Sequence, residues 1–191
     1  MKSILILILS QFILFSACSD DETPEESSSL TFTLSSIAIE DGELLEEYKC
    51  EEKVDGIENA IPLAWENVPE EANALAVIMH HYPNASDPNE VNSYLLLWDI
   101  DPDILEIPYG MADDGDWFMG ANKDGNAISY SSPCSPSTGS HEYTITLYAL
   151  SETPPDLPGS SSIEVDYDTM VNAISAVTVI DNAILTFNDV N

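Results

Sequence analysis

Residues 74–79 read ALAVIM and residues 94–100 read YLLLWDI. Neither run alternates between apolar and polar side chains. A strand with one wet face alternates with period two, so continuous apolar runs of this length suit strands buried on both faces. Two neighbouring segments do alternate: 30–34 (LTFTL) and 143–150 (YTITLYAL), the second ending in the Pro-rich turn Thr153-Pro154-Pro155. Residues 183–187 read as a last strand. One stretch, 168–177, is helical in pattern, with an Asp cap and Met170, Ala173, Ile174 and Val177 on one face. Clusters of Gly, Pro, Ser and Asp predict long loops at 83–91 and 112–140. The expected fold is mainly β, a sandwich or mixed sheet with a short C-terminal helix, rather than a doubly wound α/β domain.

Charge excludes several functions. The chain of 191 residues carries 35 acids against four lysines (Lys2, Lys49, Lys53, Lys123) and no arginine, a formal charge of −31. Nucleic-acid binding needs several Lys/Arg contacts to phosphate, and docking on anionic lipid heads needs the same sign of charge. Disorder is the other fate of highly charged chains. Here 44% of the residues are apolar, enough for a packed core.

The N-terminus reads as an export signal. Met1-Lys2 precedes a nearly unbroken apolar run at 4–15, too short for a spanning helix, and Ser16-Ala17-Cys18 follows. Small residues before a cysteine resemble a bacterial lipobox, which makes Cys18 the lipidated first residue of the mature protein. Residues 1–17 are then a lipoprotein signal peptide and 18–29 (CSDDETPEESSS) an acidic, Ser-rich tether. Residues 30–191 form one domain. The tether's acidic run resembles the surface-export signal of some Gram-negative lipoproteins; a plain spacer is the other reading. Membrane association through the lipid anchor alone is expected, on the outer membrane or cell surface.

Catalytic and metal motifs are sparse. Asp99-Ile100-Asp101-Pro102-Asp103 starts like a calcium loop but lacks glycine at the sixth place and carries Gly110 at the twelfth, where a bidentate Glu is needed. Asp113-Asp114-Gly115-Asp116 is a second acidic cluster, and both are expected to be solvated loops. No G-x-S-x-G or H-E-x-x-H occurs. His80 and His81, adjacent on one strand, point to opposite faces and cannot share a metal. One of them with His141 and a carboxylate is the remaining zinc arrangement; the expectation is no metal and no cofactor. With Cys18 taken by lipid, Cys50 and Cys134 are left in an oxidising compartment, where a disulfide is expected rather than separate thiols.

An ordered string of short motifs is more specific than any one of them. It runs from residues 61–69 (IPLAWENVP) through the 74–79 run into Tyr82-Pro83-Asn84-Ala85, then 94–100. It continues with Gly120-Ala121-Asn122, Tyr130-Ser131-Ser132-Pro133-Cys134-Ser135-Pro136, Gly139-Ser140-His141-Glu142-Tyr143 and Leu147-Tyr148-Ala149-Leu150. This order resembles the phosphatidylethanolamine-binding protein family, in its bacterial Raf-kinase-inhibitor-like branch, over residues 32–187. There the pattern reads sPpLxW-x-x-vP, an apolar strand into DPDAP, HWvvynI, GxN, YxGPCPP, GxHRY and a lyAL strand. The resemblance implies a two-sheet β fold and a small anion pocket. Family members line it with the first Asp of DPDAP, the His of HW, and the His and Tyr of GxHRY. Cys134 falls on the cysteine of GPCPP.

Several pocket positions differ here. Tyr82 stands at the first Asp, Tyr94 at the His of HW, and Glu142 at the Arg of GxHRY, while His141 and Tyr143 are retained. The expected site is therefore a modified pocket of His141, Tyr143, Tyr82 and Tyr94, with His80 as a fifth member, taking a small neutral or cationic ligand of unknown identity. Two rivals stand beside a binding protein: a hydrolase using His141 as general base, and a surface interaction module with no open pocket. No catalytic residue is assigned.

Overall fold

A computed structural model describes residues 30–50, 59–84, 86–87, 90–123, 125–134 and 138–190. The expected signal peptide and tether lie outside the described residues. Among these residues ten strands form: β1 (Thr33–Ser35), β2 (Ile39–Glu40), β3 (Glu43–Leu44), β4 (Leu63–Glu66), β5 (Ala74–His81), β6 (Asn92–Ile100), β7 (Glu106–Ile107), β8 (Phe118–Met119), β9 (Ser140–Leu150) and β10 (Val179–Val190). A 3-10 turn (Glu46–Tyr48) and one helix, α1 (Tyr167–Ser175), complete the set. β1-β4-β7 make a small sheet, and β2-β3-β10-β9-β5-β6-β8 make a large one, antiparallel except where β10 meets β3. The mainly β, two-sheet expectation holds. Among the described residues no helix is long and apolar enough to cross a membrane.

The two apolar runs became β5 and β6, at the middle of the large sheet. Leu75, Val77 and Met79 face the small sheet, in one core with Leu97, Ile145, Leu147, Phe187, Leu63 and Trp65. Ala76, Ile78, Leu96 and Trp98 face the other way, under Met170, Ala173 and Ile174 of α1 and under Val165 and Leu157. Both faces are covered, which is why neither run alternates. The helix starts slightly earlier than the sequence pattern suggested. Its cap is Asp166, whose carboxylate accepts from the Thr169 N–H at 2.9 Å; the Thr169 side chain first, and then that N–H, hold it below the usual carboxylate range. Val177 lies past the helix end but still packs against the same cluster. The first strand starts at Thr33 rather than residue 30; Leu30 is 75% exposed while Phe32 and Leu34 are buried.

Two irregularities in the β5–β6 pairing aim side chains. Met79 pairs with Leu95 but His80 pairs with Ser93, so Tyr94 is an extra residue in a bulge. Tyr94 and Leu95 consequently both face the inter-sheet core. The second shift lies between Leu75 and Val77, near Asp99, which has a positive φ of 63°. It returns Ile100 to the inter-sheet side.

Gly120 fixes how the 162–165 segment crosses β6 and β8. Its N–H donates to the Leu96 carbonyl, and the next N–H, of Ala121, donates to the Val165 carbonyl at 2.8 Å. A Cβ on Gly120 would stand 2.5 Å from that Val165 oxygen, a backbone atom that cannot swing aside. Gly120→Ala is expected to cost about 1–3 kcal/mol through forced displacement. Urea denaturation reads it as a lower midpoint at unchanged slope; an unchanged midpoint would show that the segment is free to give way.

Cys50 and Cys134, 84 positions apart in sequence, are joined by a disulfide with Cα atoms 5.3 Å apart. Just before Cys50, Lys49 is buried at 6% exposure. Its ammonium donates to Glu46 at 2.7 Å and to the Val190 carbonyl at 2.8 Å, and lies 3.6 Å from the buried Asp189 carboxylate. The hydrogen-bonded Glu46 carboxylate holds the ammonium above the ordinary lysine range. Lys49 thus ties the end of β10 to the turn that follows β3.

Candidate functional site

The C-terminal end of β5 lies beside the N-terminal end of β9, with His80 paired to Thr144. At this junction the surface sinks into a depression of about 480 Å³, lined by His80, His81, Tyr82, Pro83, Asn84, Ser140, His141, Glu142 and Thr144. Strand alternation sorts the aromatic groups around it into two sets, one on each face of the large sheet.

On the inter-sheet side stand His81, His141, Tyr143 and Tyr94. The His81 ring stacks on Tyr143 with centroids 4.8 Å apart, and the His141 ring approaches it edge-on at 5.9 Å. His81 Nδ1 lies 2.7 Å from the Glu142 carbonyl oxygen. A carbonyl only accepts, so Nδ1 carries a proton and donates, which in the neutral ring leaves the lone pair on Nε2. Tyr143 in turn stacks on Phe187 at 5.4 Å and meets Tyr94 edge-on at 5.0 Å. Tyr143 and Tyr94 are 1% and 4% exposed. They form the wall behind the depression, inside the core.

On the helix side stand His80, Tyr82 and Tyr167. The His80 ring lies 5.0 Å from Tyr82 and 5.4 Å from Tyr167, and the two tyrosine hydroxyls are 3.2 Å apart. Burial, and then the charge of neighbouring His81, hold the His80 imidazole below its ordinary range. Burial first, and then the Tyr82 hydroxyl, push the Tyr167 phenol upward; burial also raises that of Tyr148. These shifts favour the neutral form of all three groups. Of the lining residues, Glu142 alone bears a formal charge while the imidazoles are neutral, and none is Lys or Arg.

Of the five residues singled out in the sequence, His80, Tyr82 and His141 reach the depression and the buried Tyr94 and Tyr143 do not line it. The five divide between the sheet's two faces, as His80/Tyr82 and His141/Tyr143/Tyr94. Three residues of this region were not predicted as members. His81 was legible from its alternation with His80. Tyr167 arrives with α1, far along the chain. Lys123 places its ammonium 5.6 Å from the Tyr94 ring centroid, outside the depression; nothing near it in sequence signals this. The acidic motif at 99–103 borders a wider depression of about 720 Å³ that also includes Asp116. Within it Asp99 accepts from the Thr153 hydroxyl and Asp101 from the Asp103 N–H. Among the described residues no group of three or more His, Cys, Asp or Glu side chains is arranged to hold a metal ion.

Comparison with known proteins bears on this geometry. Residues 35–188 match the family model described as phosphatidylethanolamine-binding protein. A curated relative, the UPF0098 protein of Methanothermobacter thermautotrophicus, is 35% identical over 128 residues, covering 65% of this chain and 79% of that protein. Among solved structures, a phosphatidylethanolamine-binding protein homolog from Chlamydia trachomatis superposes with a TM-score of 0.68 at 23% identity, over 84% of this chain and 97% of that one. YbcL of E. coli, described as a member of the mammalian PEBP family, gives 0.68 at 19% identity, over 84% and 98%. At these identities the two structures speak for the fold alone.

Proposed function

The chain belongs to the phosphatidylethanolamine-binding protein family, and we propose that it is a binding protein whose modified pocket takes a small neutral or cationic ligand. It acts from a lipid anchor at the cell envelope or surface, in the Raf-kinase-inhibitor-like bacterial branch. The observation that carries the pocket reading is the depression itself. It is open, its polar lining groups converge from two strands and a loop, and it offers an anion no lysine or arginine. Phosphate recognition ordinarily uses guanidinium or ammonium donors. Here a phosphate would meet the Glu142 carboxylate, neutral hydroxyls and amides, and imidazoles. An amine or polyol would meet one carboxylate and several neutral acceptors beside aromatic faces.

Calorimetric titration tests this. Phosphoethanolamine at neutral pH is expected to bind with Kd near or above about 1 mM, and ethanolamine no more weakly. Micromolar phosphoethanolamine binding that disappears in His141→Ala would overturn the reading and restore an anion site. The anchor rests on the apolar run ending at Ser16-Ala17-Cys18 with a polar tether behind it. Cys18→Ala should move the protein from the membrane fraction to the soluble fraction; unchanged membrane retention would refute the anchor.

A further inference from the structure

We propose that His81 and His141 form an open two-histidine site for a divalent transition metal such as Cu²⁺ or Zn²⁺, at the edge of the depression. The two residues lie on adjacent antiparallel strands, β5 and β9, on the same face of the sheet. Their ring centroids are 5.9 Å apart. Two imidazoles that share one ion at the usual N–metal distance of about 2.0–2.1 Å have centroids roughly 5 Å apart at a tetrahedral angle and roughly 6.5 Å apart when opposed. The observed separation falls inside that window.

A second observation concerns orientation. Metal-bound histidines almost always donate their other ring N–H to a carboxylate or backbone carbonyl, which fixes the tautomer. His81 already has this arrangement: Nδ1 donates to the Glu142 carbonyl at 2.7 Å, and Nε2 is the nitrogen left to ligate. Stacking on the buried Tyr143 ring holds the imidazole plane. No lysine or arginine lines the depression, and Glu142 lies beside it, so the local field does not repel a cation. Two protein ligands leave the remaining positions to water or to a small donor ligand in the depression. Imidazole pairs suit Cu²⁺, Ni²⁺ and Zn²⁺ and not hard cations such as Ca²⁺ and Mg²⁺. The site shares the depression with the proposed organic ligand but does not require it.

The test is isothermal titration of the untagged full-length chain in detergent with Cu²⁺ and with Zn²⁺. A millimolar excess of Ca²⁺ and Mg²⁺ occupies the many surface carboxylates. One equivalent of Cu²⁺ should bind with a Kd in the micromolar range or tighter. His141→Ala and His81→Phe should each weaken it at least tenfold. Phe at residue 81 keeps a ring against Tyr143 while removing both nitrogens, and a thermal melt confirms that each variant is folded. Nitrogen hyperfine structure in the Cu²⁺ EPR spectrum should drop from two imidazoles to one in each ligand variant. Absence of saturable binding under the hard-cation excess would overturn the proposal. So would binding that survives both ligand variants. Ethanolamine and phosphoethanolamine titrated without metal report separately on the organic ligand. Loss of either binding activity with retention of the other therefore identifies which reading has failed.

Discussion

Trp98→Ala is expected to remove about 3–5 kcal/mol of stability, the range for truncating a large buried aromatic side chain. Trp98 is fully buried on the helix side of β6, in the layer that holds Met170 and Ile174 of α1. Its indole N–H donates to the Pro158 carbonyl at 3.0 Å, and its ring meets Phe118 of β8 with centroids 6.0 Å apart. The substitution leaves a cavity under the helix and strips the Pro158 carbonyl of its donor. Trp98→Phe keeps one aromatic ring but loses the bond and part of the buried indole volume, so about 1–3 kcal/mol is expected from it. Domains of this size have roughly 5–15 kcal/mol in total, so the alanine variant should unfold at a much lower urea concentration. A loss below about 1.5 kcal/mol for Trp98→Ala would mean that the segment around residue 158 and α1 collapse onto the sheet without strain.

Reducing the Cys50–Cys134 disulfide is expected to cost a similar amount, about 4–5 kcal/mol. Two cysteines 84 positions apart close a long loop, and in the chain-entropy model such a crosslink removes that much freedom from the unfolded chain. Cys50 is also held by its N–H bond to the Pro133 carbonyl, and the neighbouring Ser131 N–H donates to the carbonyl of Tyr94. The crosslink therefore fixes the segment that lies along the start of β6, behind the depression. Equilibrium unfolding with and without dithiothreitol, and of a Cys50→Ser/Cys134→Ser double variant, gives the difference. A change under about 1 kcal/mol would show that the unfolded chain is already compact enough to keep those ends together. Thiol titration of the denatured, unreduced protein should find neither Cys50 nor Cys134 free.

The central layer was legible because β5 and β6 have cover on both faces, and a strand with no wet face must be apolar throughout. β9 was legible instead from its alternation at 143–150, which puts Tyr143, Ile145, Leu147 and Ala149 in the inter-sheet core. The small sheet was harder to see: β4 and β7 have four and two residues, too few for any period to show. The helix emerged from its buried positions Met170, Ala173 and Ile174, while its start was misplaced because both Asp166 and Asp168 can cap. In the site, alternation correctly placed His80 with Tyr82 and His141 with Tyr143. It could not supply the bulge at Tyr94, which depends on the pairing of β6 with β5 rather than on the sequence of β6 itself. Nor could it bring Tyr167 or Lys123 in from distant segments.

Lys49 has a practical consequence for locating this protein on a cell. Trypsin cleaves only after lysine and arginine, and the chain offers four lysines and no arginine. Lys49 is sealed under Glu46, Asp189 and the end of β10, leaving Lys123 as the single exposed lysine among the described residues. Shaving intact cells with trypsin would leave much of the domain uncut even on the outer face, and amine-reactive labels would find few handles. Survival in such an experiment would say nothing about which side of the membrane the protein occupies. A protease that cuts after acidic residues, with 35 of them in the chain, would give an answer.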